Sequence, residues 1–279
     1  MGDIMKKLIA NYHTHNQLCN HAVGDCEAYV LEAINLGMEE IGITDHNPIP
    51  VEYLTPYYYK RNWCFRNMSY DVFENVYLQE LDEVIEKYGD KIRILKGLEA
   101  EYIPHHHDYY VEISKKLDYM LLGLHFFYDN EKCLNSYADV NYQTVKFYVE
   151  NAIKAMSTGL FKVFVHPDLF MFNYKNINGE RKFDEAAVSA TRQIIEAAIK
   201  YDVYLELNCN GLQNTYKRSS SEWLYPYIEF WQIAKEYNDL KIIIGADAHN
   251  PKQLASKEVE DVIDFANKLG LKIEDKIKF

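Results

Sequence analysis

Short apolar segments alternate with longer amphipathic segments along the whole chain of 279 residues. The apolar segments are too short to be helices and are rich in Ile, Val, Leu and Tyr, which is typical of buried strands. Strands that alternate with helices predict βαβ units and a parallel sheet that is covered on both faces. The predicted strands are residues 8–12, 41–44, 92–98, 119–124, 163–165, 203–207 and 242–245.

Seven such units favour a closed or nearly closed α/β barrel over an open sheet, and one barrel of this kind fills about 250 residues. No linker-like segment, low-complexity tract or fixed-period repeat divides the sequence, so we predict a single domain over residues 1–279. A lid-like insertion at about 51–70 follows the second strand, since long loops are often lids. The predicted helices are residues 26–36, 71–87, 142–158, 183–201, 220–237 and 257–269, with a weaker pattern at 107–116.

The charge of the chain limits its partners. Asp and Glu number 42 against 30 Lys and Arg, a formal net charge of −12, whereas nucleic-acid-binding proteins carry a basic face. This balance argues against nucleic acid but is compatible with a site that gathers cations. No segment suits a signal peptide or a membrane span. The five cysteines are odd in number and form no C-x-x-C pair, which predicts reduced thiols in a cytoplasmic protein.

Histidines and acidic residues cluster where the predicted strands end. In an α/β barrel the carboxyl ends of the parallel strands form one rim, where active sites are built. His13 and His15 are two residues apart on a strand, as are Asp247 and His249, so each pair points the same way. The strand-end residues are His13, His15, His46, Glu99, Glu101, His125, His166, Glu206, Asn208, Asp247 and His249.

A single histidine at a strand end is most often a hydrogen-bonded structural residue. Six of the ten histidines at one predicted rim, with acids in matching positions, indicate a metal site instead. Imidazoles mixed with carboxylates, without thiolates, suit zinc, iron or manganese. The run His105–His107 is different because successive side chains diverge, and we favour contact with solvent or with the lid for it.

Six short motifs mark these strand ends: HTH at 13–15, TDH at 44–46, GLE at 97–99, HFF at 125–127, HPD at 166–168 and DAH at 247–249. With His21 a few residues after the first, they resemble the PHP (polymerase and histidinol phosphatase) family over nearly the whole chain. The stretches GLEAEYIP (97–104), GLHFFYD (123–129) and LELNCNGL (205–212) are similar to its histidinol-phosphatase branch. The resemblance implies a distorted (β/α)7 barrel, in agreement with the predicted strands.

The resemblance also implies up to three divalent metal ions (Zn, Mn or Fe) and a catalytic role for Glu99 and Asp247. Glu99 would bridge two of the ions, and Asp45 would orient a neighbouring histidine that binds metal. The implied ligands are His13, His15, Glu99 and Asp247 for one ion, Glu99, His125 and His166 for a second, and His21, His46 and His249 for a third.

The activity that this resemblance implies is that of a histidinol-phosphate phosphatase, which hydrolyses L-histidinol phosphate to L-histidinol and inorganic phosphate in histidine biosynthesis. A hydroxide that bridges metal ions would attack phosphorus directly, and a metal ion, a protonated side chain or both would stabilise the leaving alkoxide. A PHP phosphoesterase for another small phosphomonoester or a nucleotide is the alternative enzyme. A non-catalytic PHP module is less consistent with a complete set of ligands.

Residues outside the ligand sets are candidates for binding the substrate. Arg66 in the insertion and Arg218 after the sixth strand could bind the phosphate as cations. Glu101 shares a strand face with Glu99 and would be a counter-charge for an ammonium group, although a solvated or ion-paired acid is the alternative. Asn208, at the end of the sixth strand, is the fourth candidate.

Overall fold

The computed structural model describes residues 7–50, 68–130, 132–217 and 223–279. Arg66, Arg218 and nearly all of the predicted insertion lie outside these ranges. Seven parallel strands form one sheet: β1 (Ala10–Asn11), β2 (Glu40–Ile43), β3 (Arg93–Ala100), β4 (Tyr119–Leu122), β7 (Val163–Phe164), β8 (Tyr204–Asn208) and β9 (Ile242–Gly245). They lie side by side in this order.

The sheet curls into a nearly closed barrel. Every pair of neighbouring strands is parallel, which confirms the seven predicted strands and their direction. β1 and β9 stand at the two edges, and a parallel bridge beyond their ends joins Thr14 to Ala248. Next to this bridge, His15 N donates to Ala248 O at 2.8 Å. The first and last ligand-bearing motifs are therefore neighbours in space.

Helices cover the outside of the barrel, and short acidic side chains start two of them. Asp25 accepts a hydrogen bond from Ala28 N. Asp184 accepts one from Ala187 N in the same way. No described helix is long and apolar enough to cross a membrane. The helices are Cys26–Asn35, Tyr70–Val72 (continued through a π-helical turn Phe73–Tyr77 into Leu78–Tyr88), His107–Ser114, Val145–Met156, Glu185–Lys200, Gly211–Lys217, Ile228–Ala234 and Lys257–Leu269, with 3-10 turns at Gln17–Cys19, Pro104–His106, Leu169–Met171 and Pro251–Ala255.

One helix is shorter than its sequence pattern predicts. The pattern over 220–237 predicts a single helix, but in the described part of that segment the helix spans Ile228–Ala234. Pro226 explains the difference, because it lacks a backbone N–H and disfavours the helical conformation at Tyr225. The chain before the helix is therefore irregular, and it lies close to the rim: the Tyr225 ring is 6.3 Å from that of His166.

A two-stranded antiparallel hairpin follows His125 and is not predicted from the sequence. It pairs β5 (Phe126–Asp129) with β6 (Lys132–Asn135) outside the main sheet. Each strand is only four residues long, too short for a clear alternation of apolar and polar residues. The residue that indicates a turn between the two strands is Asn130. It adopts a positive φ of 54°, a conformation that Asn tolerates better than most residues.

The C-terminal segment closes the other end of the barrel, below an apolar interior. Tyr12 Oη donates to Glu40 Oε2 at 2.7 Å and accepts a hydrogen bond from Ile277 N at 3.1 Å. Since Glu40 is the first residue of β2, the C-terminal segment lies across the amino ends of the strands. Polar side chains are therefore concentrated at the opposite rim. The barrel interior is filled by Ala10, Tyr12, Leu95, Tyr119, Leu121, Val163, Val165, Tyr204, Ile243 and Ile277.

Candidate metal centre

The strand-end side chains converge at the carboxyl-end rim, where the parallel strands would bring them. Two of them, His166 and Asp247, adopt positive φ angles of 36° and 49°. This conformation is unfavourable for residues with a Cβ, and it persists where the surrounding structure fixes the direction of a side chain. At both positions the imposed direction brings the side chain to a cluster of imidazoles and carboxylates.

Four potential ligand atoms surround one point at the end of β1; we call these residues group 1 (His13, His15, Glu99 and Asp247). His15 Nε2 lies 3.1 Å from His13 Nε2, 3.1 Å from Asp247 Oδ1 and 3.4 Å from Glu99 Oε2. His13 Nε2 lies 3.5 Å from Glu99 Oε2 and 3.6 Å from Asp247 Oδ1. A tetrahedral zinc ion with ligand distances of about 2.0–2.1 Å separates its ligand atoms by about 3.3 Å. The spacing of group 1 therefore fits a bound cation.

The other oxygen of Glu99 faces a second cluster, group 2 (Glu99, His125 and His166). Glu99 Oε1 is 2.9 Å from His166 Nε2 and 3.5 Å from His125 Nε2. A Cβ on Gly123 would lie 2.4 Å from Glu99 Oε1, so a glycine leaves the space that this carboxylate occupies. Glu99 therefore stands between groups 1 and 2, with one oxygen directed at each.

A third cluster, group 3 (His46 and His249, with His15 and His21 beside them), adjoins group 1. The ligand atoms of His15, His46 and His249 lie within 4.8 Å of one another. The His21 ring centroid is 5.3 Å from that of His46 and 4.9 Å from that of His249. His21 Nδ1 pairs with Cys19 O at 2.8 Å, which fixes the orientation of its ring. His21, His46 and His249, the set that the resemblance implies, are thus brought together. His15 nevertheless lies closer to His46 and His249 than His21 does.

Three carboxylates lie on the Nδ1 side of three of these imidazoles, opposite the Nε2 atoms that point into the groups. Glu206 Oε1 is 2.8 Å from His13 Nδ1, and Glu101 Oε1 is 2.5 Å from His125 Nδ1. Asp45 Oδ1 lies 3.6 Å from His15 Nδ1, which places Asp45 next to a histidine, as expected. A carboxylate in this position fixes the tautomer and orientation of a ligand imidazole. The sequence indicates that Glu206 lies at a strand end but suggests no role for it, although its position two residues before Asn208 puts both on one face of β8.

Two predicted substrate-binding residues are engaged within the site. Glu101 is 4% exposed, and its second oxygen accepts a hydrogen bond from Phe126 N at 3.3 Å. Burial raises the pKa of Glu101 above its usual value, although His125 opposes this effect. Its contacts make it an orienting partner of His125, and its role as a counter-charge for a substrate stays a prediction.

Asn208 is fully buried in the same network rather than at the mouth of the site. Its Nδ2 donates to Glu206 Oε2 at 2.8 Å and to Asp247 Oδ2 at 3.2 Å, while its Oδ1 accepts from Gly211 N at 3.1 Å. Both amide hydrogens are used by carboxylates of the site, so a direct contact with the substrate is not the role that these contacts support. Asn208 instead connects Glu206 to Asp247.

The protonation states of four residues, Glu99, Asp247, His46 and His249, suit metal ligands. Burial alone would raise the pKa of Glu99, but the surrounding imidazoles, His125 above all, hold it well below its usual value. The imidazoles around Asp247 likewise overcome its burial and lower its pKa. Burial lowers the pKa of His46, and it lowers that of His249 to about 3. Ionised carboxylates and neutral imidazoles are the forms that bind metal ions.

Binding of a divalent cation is expected to displace protons and to strengthen as the pH rises toward 9. Burial opposes protonation of His15 and His125, but nearby carboxylates raise the pKa of each to about 9. Below that pH the cation-free protein holds these protons, and each proton that is displaced makes the apparent affinity rise about tenfold per pH unit. Calorimetric titration with Zn²⁺ at pH 7.5 in buffers of different ionisation enthalpy measures the protons released. Release of no proton would contradict this expectation.

The run His105–His107 lies apart from these groups. His105 is exposed in the 3-10 turn Pro104–His106, and His107 Nδ1 lies 3.2 Å from Tyr102 Oη. Among the residues that the structure describes, none of the possible metal-binding groups includes this run. Its contacts agree with the expectation of a solvent-facing segment.

Comparison with known proteins identifies related chains over most of this sequence. The family model of the PHP domain matches residues 11–210. A Deinococcus radiodurans protein named "Probable histidinol-phosphatase" is 23% identical over 273 residues, which cover 91% of this chain and 94% of the relative. The histidinol-phosphatase of Bacillus subtilis is 23% identical over 265 residues, which cover 85% of this chain and 92% of the relative.

A solved structure has the same fold. The histidinol phosphate phosphatase of Lactococcus lactis, in complex with Zn, L-histidinol and phosphate, matches with a TM-score of 0.65. The match covers 97% of this chain and 98% of that protein, at 19% sequence identity. This agreement extends over almost the entire length of both chains, so the barrel is the architecture that they share.

Proposed function

This chain belongs to the PHP domain family, and from that premise we propose that it is a metal-dependent phosphatase that hydrolyses L-histidinol phosphate to L-histidinol and inorganic phosphate. Relatives of similar length are named as histidinol-phosphatases, which supports this substrate. The observation that carries the proposal is the position of Glu99, whose two oxygens face groups 1 and 2 separately. A carboxylate shared in this way brings two cation sites side by side.

The residues at the rim are suited to hold up to three divalent cations: zinc, manganese or iron. Groups 1 and 2 combine imidazoles with carboxylates, and group 3 offers imidazoles alone. Bound cations in such a cluster supply two things that phosphate ester hydrolysis requires, neutralisation of the phosphoryl oxygens and a lowered pKa for a water molecule. The chain itself orients the ligands: Glu206 and Glu101 engage the Nδ1 atoms of His13 and His125, so it is their Nε2 atoms that would hold the cations.

An aromatic surface beside group 2 suits the imidazole of the proposed substrate. Tyr137 is half-buried, and its ring lies parallel to that of His125, with an angle of 7° and 6.0 Å between centroids. Phe172 packs edge-on against Tyr137 at 5.2 Å, and Tyr225 approaches His166 on the same side. Phe172 and Tyr225 are buried, so Tyr137 is the ring of this cluster against which a planar ring of the substrate would pack while its phosphate reaches the metal centre.

The proposed substrate is tested with purified, metal-replete protein and a panel of phosphomonoesters: L-histidinol phosphate, glycerol phosphate, p-nitrophenyl phosphate and AMP. We expect kcat/KM for L-histidinol phosphate to exceed the others by at least about tenfold, which corresponds to about 1.4 kcal/mol in transition-state binding. The Glu99→Gln variant, purified in parallel, measures any contaminating phosphatase. Equal or higher kcat/KM for another ester would assign the chain to the alternative, a PHP phosphoesterase with a different substrate.

A further inference from the structure

Glu206 is a fully buried acid at the rim. It lies in β8 with a side chain that is 0% exposed, and it is not a member of groups 1, 2 or 3. Its Oε1 accepts a hydrogen bond from His13 Nδ1 at 2.8 Å. Its Oε2 accepts one from His166 N at 3.1 Å and another from Asn208 Nδ2 at 2.8 Å. One carboxylate therefore contacts two potential ligands that belong to different groups.

We propose that Glu206 is a positioning residue that assembles groups 1 and 2 together, so that the loss of its contacts weakens cation binding at both. It acts on group 1 through the ring of His13 and on group 2 through the backbone of His166. The inference rests on the proposed metal centre but does not depend on which phosphate ester is the substrate.

Only a carboxylate satisfies the three donors that meet at this position. A glutamine whose oxygen faces His13 would direct its NH2 group at two other donors, His166 N and Asn208 Nδ2. In the opposite orientation the NH2 group would face His13 Nδ1, and the imidazole proton would move to Nε2, the atom directed at group 1. Both orientations of the amide therefore disturb the site, and they do so without a change of shape.

The contact with His166 N also supports an unfavourable backbone conformation. His166 has a φ of 36°, and such a residue keeps its conformation only when its surroundings over-determine it. The hydrogen bond from its N–H to Glu206 is one of these determinants. Loss of this bond is expected to let the backbone relax and to move His166 Nε2 away from Glu99 Oε1.

The test compares Glu206→Ala with a matched variant, Glu101→Ala, because a glutamine at position 206 would keep part of these contacts in either orientation. Both glutamates are buried and accept a hydrogen bond from the Nδ1 of a histidine, but Glu101 contacts a ligand of group 2 alone. The metal-free proteins are titrated with Zn²⁺ against a competing chelator, and the ions that bind with wild-type affinity are counted. We expect Glu101→Ala to weaken the binding of one ion and Glu206→Ala to weaken the binding of two, each by about 10–100-fold.

Two results would overturn the proposal. If Glu206→Ala retains every ion with wild-type affinity, the carboxylate positions no ligand. If it weakens the binding of only one ion, as Glu101→Ala does, it acts on a single group. Catalytic activity does not enter this measurement, so a failure of the substrate panel and a failure of the titration are separate outcomes.

Gly245→Ala is a second variant in case Glu206→Ala does not fold. A Cβ at position 245 would lie 1.8 Å from Glu206 Oε1, so alanine displaces the carboxylate but leaves its charge in place. The backbone of Gly245 does not require a positive φ, and alanine is compatible with the strand. We expect the same weakening of two ions in the titration with Zn²⁺. Wild-type binding of all ions by this variant would also overturn the proposal.

Discussion

Replacing Glu99 by Gln is expected to lower kcat for L-histidinol phosphate by at least about 10³-fold, or about 4 kcal/mol, with the fold retained. The carboxylate directs one oxygen at group 1 and the other at group 2. A glutamine offers one oxygen and one NH2 group, so one of the two groups receives a donor where it needs an anionic ligand. Removal of a single electrostatic contact in an active site costs about 10²–10³ in kcat, and Glu99 contributes two.

The measurement is kcat at saturating substrate, together with the number of Zn²⁺ ions bound and the far-UV circular dichroism spectrum. Glu112→Gln is the matched control, because this glutamate lies on helix His107–Ser114 with a side chain that is 66% exposed. We expect wild-type kcat and metal content for the control. A Glu99→Gln enzyme that keeps kcat within tenfold of wild type, or that binds the full number of ions, would show that the two groups do not depend on this carboxylate.

The parts of this site that follow from strand order could be predicted, because a parallel barrel places every strand end at one rim. His13, His125 and Asp247 are far apart in the sequence, yet the alternation of strands and helices is sufficient to bring them together. Buried strands have a strong apolar signal, and the polar residue at which each one ends is therefore easy to recognise. The family resemblance then divides the rim residues into sets; the structure brings His13, His15 and Asp247 into one group and Glu99, His125 and His166 into another.

What could not be predicted depends on side-chain direction. The position of Glu101 and Glu206 at strand ends predicts that they lie at the rim. It does not predict that each side chain contacts the Nδ1 atom of a histidine. The sequence predicts Asn208 as a residue that binds the substrate, whereas in the structure three hydrogen bonds engage its side chain within the buried network. His21 lies in a loop with no periodicity, so its distance from group 3 depends on loop conformation.

Removal of divalent cations is the second large change that we expect to measure. Dialysis against a chelator should abolish phosphatase activity and lower Tm. Without the divalent cations, the buried carboxylates and imidazoles of the cluster lose the positive charge that would stabilise them. For an ion present at 100 times its dissociation constant, binding contributes about 2.7 kcal/mol to the free energy of unfolding. A change of 1 kcal/mol shifts Tm by about 2–4 °C in a chain somewhat smaller than this one, which predicts a loss of roughly 5–10 °C per ion.

Addition of Zn²⁺ or Mn²⁺ should restore activity and Tm together, whereas Mg²⁺ should restore little because it prefers oxygen ligands. The Glu99→Gln variant is the informative comparison: if its groups bind fewer ions, the chelator should shift its Tm by a smaller amount than in the wild type. Full activity with less than one equivalent of metal would contradict the proposed mechanism directly. A Tm that falls without loss of activity would instead mean that the cations stabilise the rim but do not take part in the reaction. The two readouts together therefore separate a structural centre from a catalytic one.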